Sequence, residues 1–192
     1  MDNDITILND VSETLKSLIE NNISELPTNS VVFDSPADIQ KNNKSGLSLF
    51  LYKISENPDL KNQNMFEIGS KQIQSPPLAL NLYYLLTPYA QTRQTEQIIL
   101  SKLLSIFHDN SILNDSLLKN NLRETGNKEL HITLDNIPLE QLNNMWGTFH
   151  DIPYHLSISY LITPVLIPSS KIIEASRVLS KESSFLKNYD KK

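Results

Sequence analysis

The longest patterned stretch of the chain runs from Ser75 to Ala90 and reads SPPLALNLYYLLTPYA. Its side chains alternate with a period of two residues between bounding prolines, a pattern that is typical of a β-strand. One side carries Leu78, Leu80, Leu82, Tyr84 and Leu86, and the other carries Ala79, Asn81, Tyr83 and Leu85. Both sides are largely apolar, so we expect both faces of this strand to be covered.

Four further segments have the alternation or the short apolar run of a strand. They are Ser30–Phe33, Gly46–Ile54, Glu129–Asp135 and Tyr154–Ile167. In Glu129–Asp135 the pattern points Leu130, Ile132 and Leu134 inward. Pro164 predicts an edge, bulge or bend in the last strand. The polar residues from Ala37 to Ser45 predict a loop, and Ile112–Leu118 fits either a turn or a strand fragment.

Three segments have the i, i+3, i+4 apolar spacing of amphipathic helices. They are Ile5–Ile23, Arg93–Phe107 and a short helix that opens at Pro138 and ends at Gly147. The pattern places Leu139, Leu142, Met145 and Trp146 on the buried side of the short helix.

The order of these elements predicts an α+β fold, with a mainly antiparallel sheet flanked by helices. We expect the three helices to cover one face of the sheet. The face that carries Ala79, Asn81, Tyr83 and Leu85 then has no obvious cover among these helices, so either another part of the chain or a second copy of the chain covers it.

The polar segment Ser55–Gln74 joins two strongly patterned strands and predicts an extended hairpin with a long loop. Loops of this length are often functional, so the segment is either a contact arm or a flexible loop. Ser169–Ser180 is ambiguous between helix and extended chain, and the polar residues after it predict a mobile tail. We therefore expect a main domain over residues 1–168 and an extension over 169–192.

Composition narrows the classes of function. The 192 residues fit one domain, and the absence of cysteine excludes disulfides and thiolate metal sites. A net charge of −5 opposes binding to nucleic acid, because there is no basic surplus to displace counterions. The acidic N-terminus has no secretory signal and no apolar run is long enough to span a bilayer, so we expect a cytoplasmic protein when it is made.

No catalytic or cofactor motif is present: the chain has no phosphate-binding loop, no dinucleotide fingerprint and only four scattered glycines. His150, Asp151 and His155 flank Pro153, where they form either a metal site or polar caps around a turn. Glu129, Asp135 and Glu140 form either a carboxylate group or solvated ends of elements. We interpret the first group as polar caps around a turn and the second as solvent-exposed ends of strands and helices. We therefore predict a protein that is not an enzyme and needs no cofactor.

Aromatic side chains are the candidates for contacts between proteins. Trp146 either anchors its helix to the sheet or forms an interface hot spot. Tyrosines on a sheet face that no helix covers would favour self-association. The predicted self-assembly residues are Phe50, Tyr52, Tyr83, Leu85 and Trp146.

Five segments in order resemble a known family. They are GLSLFLYKISENP (46–58), SPPLALNLYYLLTPYA (75–90), TEQIILSKLLSIF (95–107), ELHITLDNIPLEQLNNMWGTF (129–149) and PYHLSISYLITPVLI (153–167). Their order and spacing resemble the N-terminal-domain family of the cap, or tail-terminator, proteins of phage-tail-like contractile injection systems, of the antifeeding-prophage and virulence-cassette type. The likeness runs from about Ile5 to Ile167, and no enzymatic motif carries it.

The resemblance implies a tail-terminator-like sheet flanked by helices, and a homo-oligomeric ring, usually of six copies. Such a ring would close the end of the inner tube distal to the baseplate, contact the last sheath layer and become part of the particle. The partners implied are inner-tube and sheath proteins, with no nucleic acid and no membrane insertion. Candidate tube or sheath contacts are Asn62, Asn64, Phe66, Lys187 and Tyr189. An adaptor or tether of the same particle and a small-molecule-binding domain are the alternatives.

Overall fold

The computed structural model describes residues 6–41, 45–61, 66–68, 72–114, 116–119, 121–149 and 152–174. This part of the chain divides into two compact units. The first consists of the described residues within 1–61 and 77–168, and the second of those within 62–76 and 169–192.

The first unit contains four α-helices and six strands. The helices are α1 (Ile7–Asn22), α2 (Pro36–Lys41), α3 (Arg93–Asp109) and α4 (Leu139–Gly147). The strands are β1 (Val31–Val32), β2 (Gly46–Glu56), β5 (Leu78–Tyr89), β6 (Ile112–Asn114), β7 (Glu129–Asp135) and β8 (Ile158–Ile167). A short 3-10 helix, Pro58–Leu60, follows β2.

The six strands form one sheet in the order β1-β2-β5-β8-β7-β6. Only the β1–β2 pair is parallel, and all other neighbouring pairs are antiparallel. The predicted α+β fold with a mainly antiparallel sheet is therefore confirmed. The strand predicted at Ser75–Ala90 is β5, which lies between β2 and β8. The β2–β5 pair runs from Gly46↔Tyr89 to Glu56↔Leu80, which confirms the extended hairpin.

The second unit contains a three-stranded antiparallel sheet in the order β3-β4-β9, made of β3 (Phe66–Ile68), β4 (Gln72–Gln74) and β9 (Ile172–Glu174). The polar connection after β2 therefore contains two strands of its own, so the plain flexible loop is not what the structure has there. The register Gln72↔Glu174 joins this connection to residues distant in sequence. The ambiguous segment after Ser169 is extended at Ile172–Glu174.

The first face of the six-stranded sheet carries the main core. Helices α1 and α3 bury their apolar stripes against it, with Leu15 and Leu103 at 1% and 0% exposure. Strand β5 contributes Leu80, Leu82, Tyr84 and Leu86 to the same cluster. One polar pair lies inside this core: the hydroxyl groups of Tyr84 and Ser12 are 2.8 Å apart. These contacts confirm the predicted inward side of β5 from Leu80 to Leu86.

The second face is partly covered within the chain, and the prediction that none of the three predicted helices covers it is wrong. Ala79 and Leu85 of this face are 5% and 0% exposed. Ser48 donates to the carbonyl of Asp34, just before α2. Helix α4 reaches the same face through Phe149, whose ring packs edge-on against Phe50. Two of the four helices therefore lie on the face that no helix was expected to cover.

Three local predictions need correction. Helix α2 (Pro36–Lys41) occupies the first half of the predicted loop Ala37–Ser45, because a proline at the first helical position suits a helix start. Leu134 is 44% exposed, since it lies at the end of β7 beyond the short β6. In α4 only Trp146 is buried, and Leu139 is 67% exposed, because the helix contacts the sheet mainly through its last turn.

Candidate functional site

A cleft of about 620 Å³ opens on the second face between the sheet and α4. Strand β2, strand β5, the end of β7 and α4 all contribute to its walls. The residues that line it are Phe50, Tyr52, Lys53, Tyr83, Asp135, Asn136, Ile137, Pro138, Gln141, Met145, Thr148 and Phe149. We call this feature the second-face cleft.

Aromatic rings form much of the wall of the second-face cleft. The rings of Phe50 and Phe149 lie 6.3 Å apart, and those of Tyr52 and Tyr83 lie 6.2 Å apart. Tyr52 projects into the cleft at a β-bulge, where the register of β2 against β5 shifts between Leu51 and Lys53. The Lys53 ammonium lies 4.4 Å from the centre of the Tyr83 ring, a cation–π contact at the rim.

A carboxylate lies among these rings. Asp135 Oδ2 accepts hydrogen bonds from the Tyr52 hydroxyl and from the Ser159 hydroxyl, each at 3.1 Å. Burial raises the pKa of Tyr52 to about 12, and the negative charge of Asp135 adds to the increase. The Tyr52 hydroxyl is therefore a neutral donor that holds the carboxylate in position at physiological pH.

Trp146 fastens α4 and the segment after it. Its ring is 4% exposed and packs edge-on against Phe149 at 5.5 Å and against Tyr154 at 5.4 Å. Phe149 in turn contacts Phe50 of β2. The ring thus has the geometry of an anchor between α4 and the sheet.

The structure brings three of the five predicted self-assembly residues to one place: Phe50, Tyr52 and Tyr83 line the second-face cleft. Leu85 and Trp146 are buried in the isolated chain at 0% and 4% exposure.

The structure describes no side-chain position for the predicted tube and sheath contacts. Asn62, Asn64, Lys187 and Tyr189 lie outside the described residues, and Phe66 is described only as part of strand β3.

Sequence reasoning did not predict the link between Tyr52 and Asp135, which are 83 positions apart. The polar residues Lys53, Asn136 and Gln141 of the cleft were also missed. A bulge shifts which residues of β2 share a face, and strict alternation has no signal for it.

A second polar cluster joins the start of α3 to the segment before β8. His155 Nε2 lies 3.0 Å from Glu96 Oε1 and 2.6 Å from Arg93 Nη1. Both His155 and Glu96 are 8% exposed. Burial raises the pKa of Glu96, but the contacts with His155 and Arg93 outweigh it, so the pKa lies below its ordinary value of 4.5.

The described residues contain only part of the two candidate chemical sites from the sequence. His150 and Asp151 lie outside the described residues, while His155 contacts Glu96. Glu129 and Asp135 lie at opposite ends of the seven-residue strand β7, about 20 Å apart. Within the described ranges, no three histidine, aspartate or glutamate side chains are grouped to hold a metal ion.

None of the described helices is both long and apolar enough to cross a bilayer.

Comparison with known proteins gives one family and a set of related structures. The model of the family described as the Pvc16 N-terminal domain matches residues 10–181. The sheath/tube terminator of PVC, an extracellular contractile injection system, in its extended state superposes with a TM-score of 0.68 at 18% identity. The cap of the anti-feeding prophage, its tube terminating cap, superposes with a TM-score of 0.65 at 19% identity.

These two structures share the fold over almost the whole chain. The likeness covers 95% of this chain and 64% of the PVC terminator, and 92% of this chain and 61% of the anti-feeding prophage cap. The chain therefore spans a little under two thirds of their length. No curated protein sequence matches it.

Proposed function

The chain belongs to the Pvc16 N-terminal domain family, and on that premise we propose that it is a structural cap that terminates the inner tube of a contractile injection system. The observation that carries the proposal is the shared fold. A sheath/tube terminator has this fold over 95% of the present chain. The cap closes the end of the tube distal to the baseplate and contacts the last sheath layer. It is a non-enzymatic role that requires no cofactor.

Termination makes a physical demand on the shape of the assembly. A cap must match the tube end on one side and present no equivalent face for further growth on the other. A closed ring of identical subunits with two different axial faces meets this demand: heterologous contacts close the ring in its plane, and only one of its faces matches the tube end. We propose a ring of six copies, assembled in the cytoplasm and then retained in the particle.

The second-face cleft supports a contact between subunits. Phe50, Tyr52 and Tyr83 offer aromatic area on a face that α2 and α4 cover only in part. Aromatic residues at the centre of an interface contribute much of its binding energy. From within the subunit, Trp146 packs against Phe149, which contacts Phe50, and the buried Leu85 is the cross-strand neighbour of Phe50. Asn62, Asn64, Phe66, Lys187 and Tyr189 remain the proposed contacts with tube or sheath.

The test is the position of the protein in assembled particles. A small epitope tag on the full chain, decorated with gold-labelled antibody, is expected to appear only at the end distal to the baseplate. Label along the tube or beside the baseplate would instead indicate an adaptor or tether and would contradict the cap. Particles assembled without the chain are expected to have tubes of uneven length.

A further inference from the structure

One oxygen of the Asp135 carboxylate is uncommitted. Both hydrogen bonds to this side chain, from Tyr52 and Ser159, end on Oδ2. No described residue bonds Oδ1. Asp135 lines the second-face cleft together with the rings of Tyr52 and Tyr83, so a side chain bound there meets a carboxylate and aromatic rings in one cleft. A carboxylate in such surroundings gains most from a charged partner that keeps its hydrogen-bonding capacity in use.

The wall of the cleft selects the kind of partner. Aromatic faces attract cations, and the Lys53 ammonium already lies 4.4 Å from the centre of the Tyr83 ring. A planar guanidinium can stack flat on a ring while its in-plane N–H groups donate to a carboxylate, whereas an ammonium has no flat face and no paired donors. An anion would meet the charge of Asp135, and an apolar side chain would cover the carboxylate without bonding it. The chemistry therefore favours arginine.

We propose that the second-face cleft binds an arginine side chain, and that Arg123 of a second copy of the chain supplies it. The assignment to a second copy rests on the proposed ring. The affinity of the cleft for arginine does not.

Arg123 is the arginine whose guanidinium the described residues leave free to reach a second copy. The chain contains three arginines, Arg93, Arg123 and Arg177. The Arg93 guanidinium is already paired with Glu96 at 2.9 Å and contacts His155. Arg177 lies outside the described residues. Arg123 is exposed in the turn over residues 121–126, and none of the described residues pairs with its guanidinium.

The position of Arg123 also suits a ring. Its neighbour Leu122 belongs to the core cluster of the first face, and Lys119 donates its backbone N–H to Thr14 of α1. Arg123 thus lies on the first-face side of the sheet, whereas the cleft lies on the second face. A contact between two different surfaces is heterologous, which is the kind that closes into a ring.

The first experiment measures the cleft alone. A synthetic peptide with residues 119–127, KNNLRETGN, is titrated into the isotope-labelled full-length Arg123→Asp chain, whose cleft no second copy occupies, and followed by NMR. We expect saturable shifts at Tyr52 and Tyr83. Replacement of the peptide arginine by glutamine, or Asp135→Asn in the protein, is expected to weaken binding about tenfold, the effect of one charge-assisted contact. The isosteric Asn keeps an acceptor for Tyr52 and Ser159.

Two further variants test which charged groups of the protein affect peptide binding. Lys53→Gln removes the cation that occupies the Tyr83 ring, so it is expected to strengthen peptide binding. Asp59→Asn, an exposed carboxylate outside the cleft, is the matched control and is expected to leave binding unchanged. Binding that is equal for the arginine and glutamine peptides, or that Asp135→Asn does not weaken, would overturn the arginine site.

The second experiment asks whether Arg123 is the donor. Asp135→Arg and Arg123→Asp are each expected to abolish self-assembly in sedimentation velocity, and the double variant is expected to restore it. If the double variant stays dissociated while the wild-type chain assembles, Arg123 is not the donor. A wild-type chain that binds the peptide yet never assembles would instead contradict the proposed ring.

Discussion

A single hydroxyl pair shows how the core fixes its polar groups. Ser12 donates to the carbonyl of Leu8, which leaves its oxygen to accept from the Tyr84 hydroxyl at 2.8 Å. Tyr84 is fully buried, and this burial raises its pKa from 10.0 to about 12. The neutral form of Tyr84 is therefore a requirement of the folded state.

We expect Tyr84→Phe to lower the free energy of unfolding by about 1 kcal/mol at pH 7, the usual worth of one buried hydrogen bond. Folding raises the pKa of Tyr84, so the neutral hydroxyl contributes to the free energy of unfolding. This contribution is fully present below pH 10.0 and is lost as the pH rises through about 12. Urea denaturation at both ends of this range measures the effect. Tyr83→Phe, on the opposite side of the same strand, is the control. It should change neither the free energy of unfolding at pH 7 nor its dependence on pH between 10 and 12.

The cluster of Arg93, Glu96 and His155 gives the opposite dependence. The lowered pKa of Glu96 means that its contribution to stability is present above pH 4.5 and is lost as the pH falls below that value. Glu96→Gln is expected to lower the free energy of unfolding at pH 7. It is also expected to make that free energy depend less on pH below 4.5. Glu140→Gln, on the exposed part of α4, is the comparison. An equal acid response in both variants would show that the cluster contributes little.

At the scale of elements, the strands and long helices were predictable because each has one strong period. Strand β7 was predicted with its observed ends, Glu129 and Asp135, and β5 within three residues at its start and one at its end. Helix α2 was missed because six residues are too short for a period, and only Pro36 at the first position marks it.

The side of the sheet on which a helix packs was not predictable. Periodicity reports that α4 has an apolar stripe, but the face on which it lies depends on the connection from Asp135 to Pro138. The second-face cleft exists because α4 packs on the less apolar face of the sheet. Its geometry therefore could not be predicted from the sequence either. Three of its four aromatic residues, Phe50, Tyr52 and Tyr83, are nevertheless among the predicted self-assembly residues, because alternation already placed Tyr83 on the side of β5 opposite Tyr84.

Gly46, the first residue of β2, packs closely against Ser30, the residue just before β1. A methyl group on Gly46 would overlap the carbonyl oxygen of Ser30, which accepts the backbone N–H of Leu47 at 3.0 Å. Gly46→Ala is therefore expected to cost about 1–3 kcal/mol in urea denaturation, the range for overpacking. Gly147→Ala is the matched control. No atom lies within 4 Å of that methyl, so no loss is expected.

At the scale of the whole molecule, the question is which surface holds copies together. Tyr83 is half-buried in the second-face cleft, so Tyr83→Asp is expected to prevent assembly while the far-UV circular dichroism stays unchanged. Leu104→Asp, at a side chain of α3 that is 39% exposed, is the control and should assemble normally. A Tyr83→Asp chain that unfolds would show that this face is core.

The most direct measurement is electron microscopy of the purified full chain, alone and mixed with tube protein. We predict closed rings of six copies that sit on one end of each tube and stop its growth. A chain that remains a strict monomer, with no ring even in the presence of tube protein, would contradict the cap.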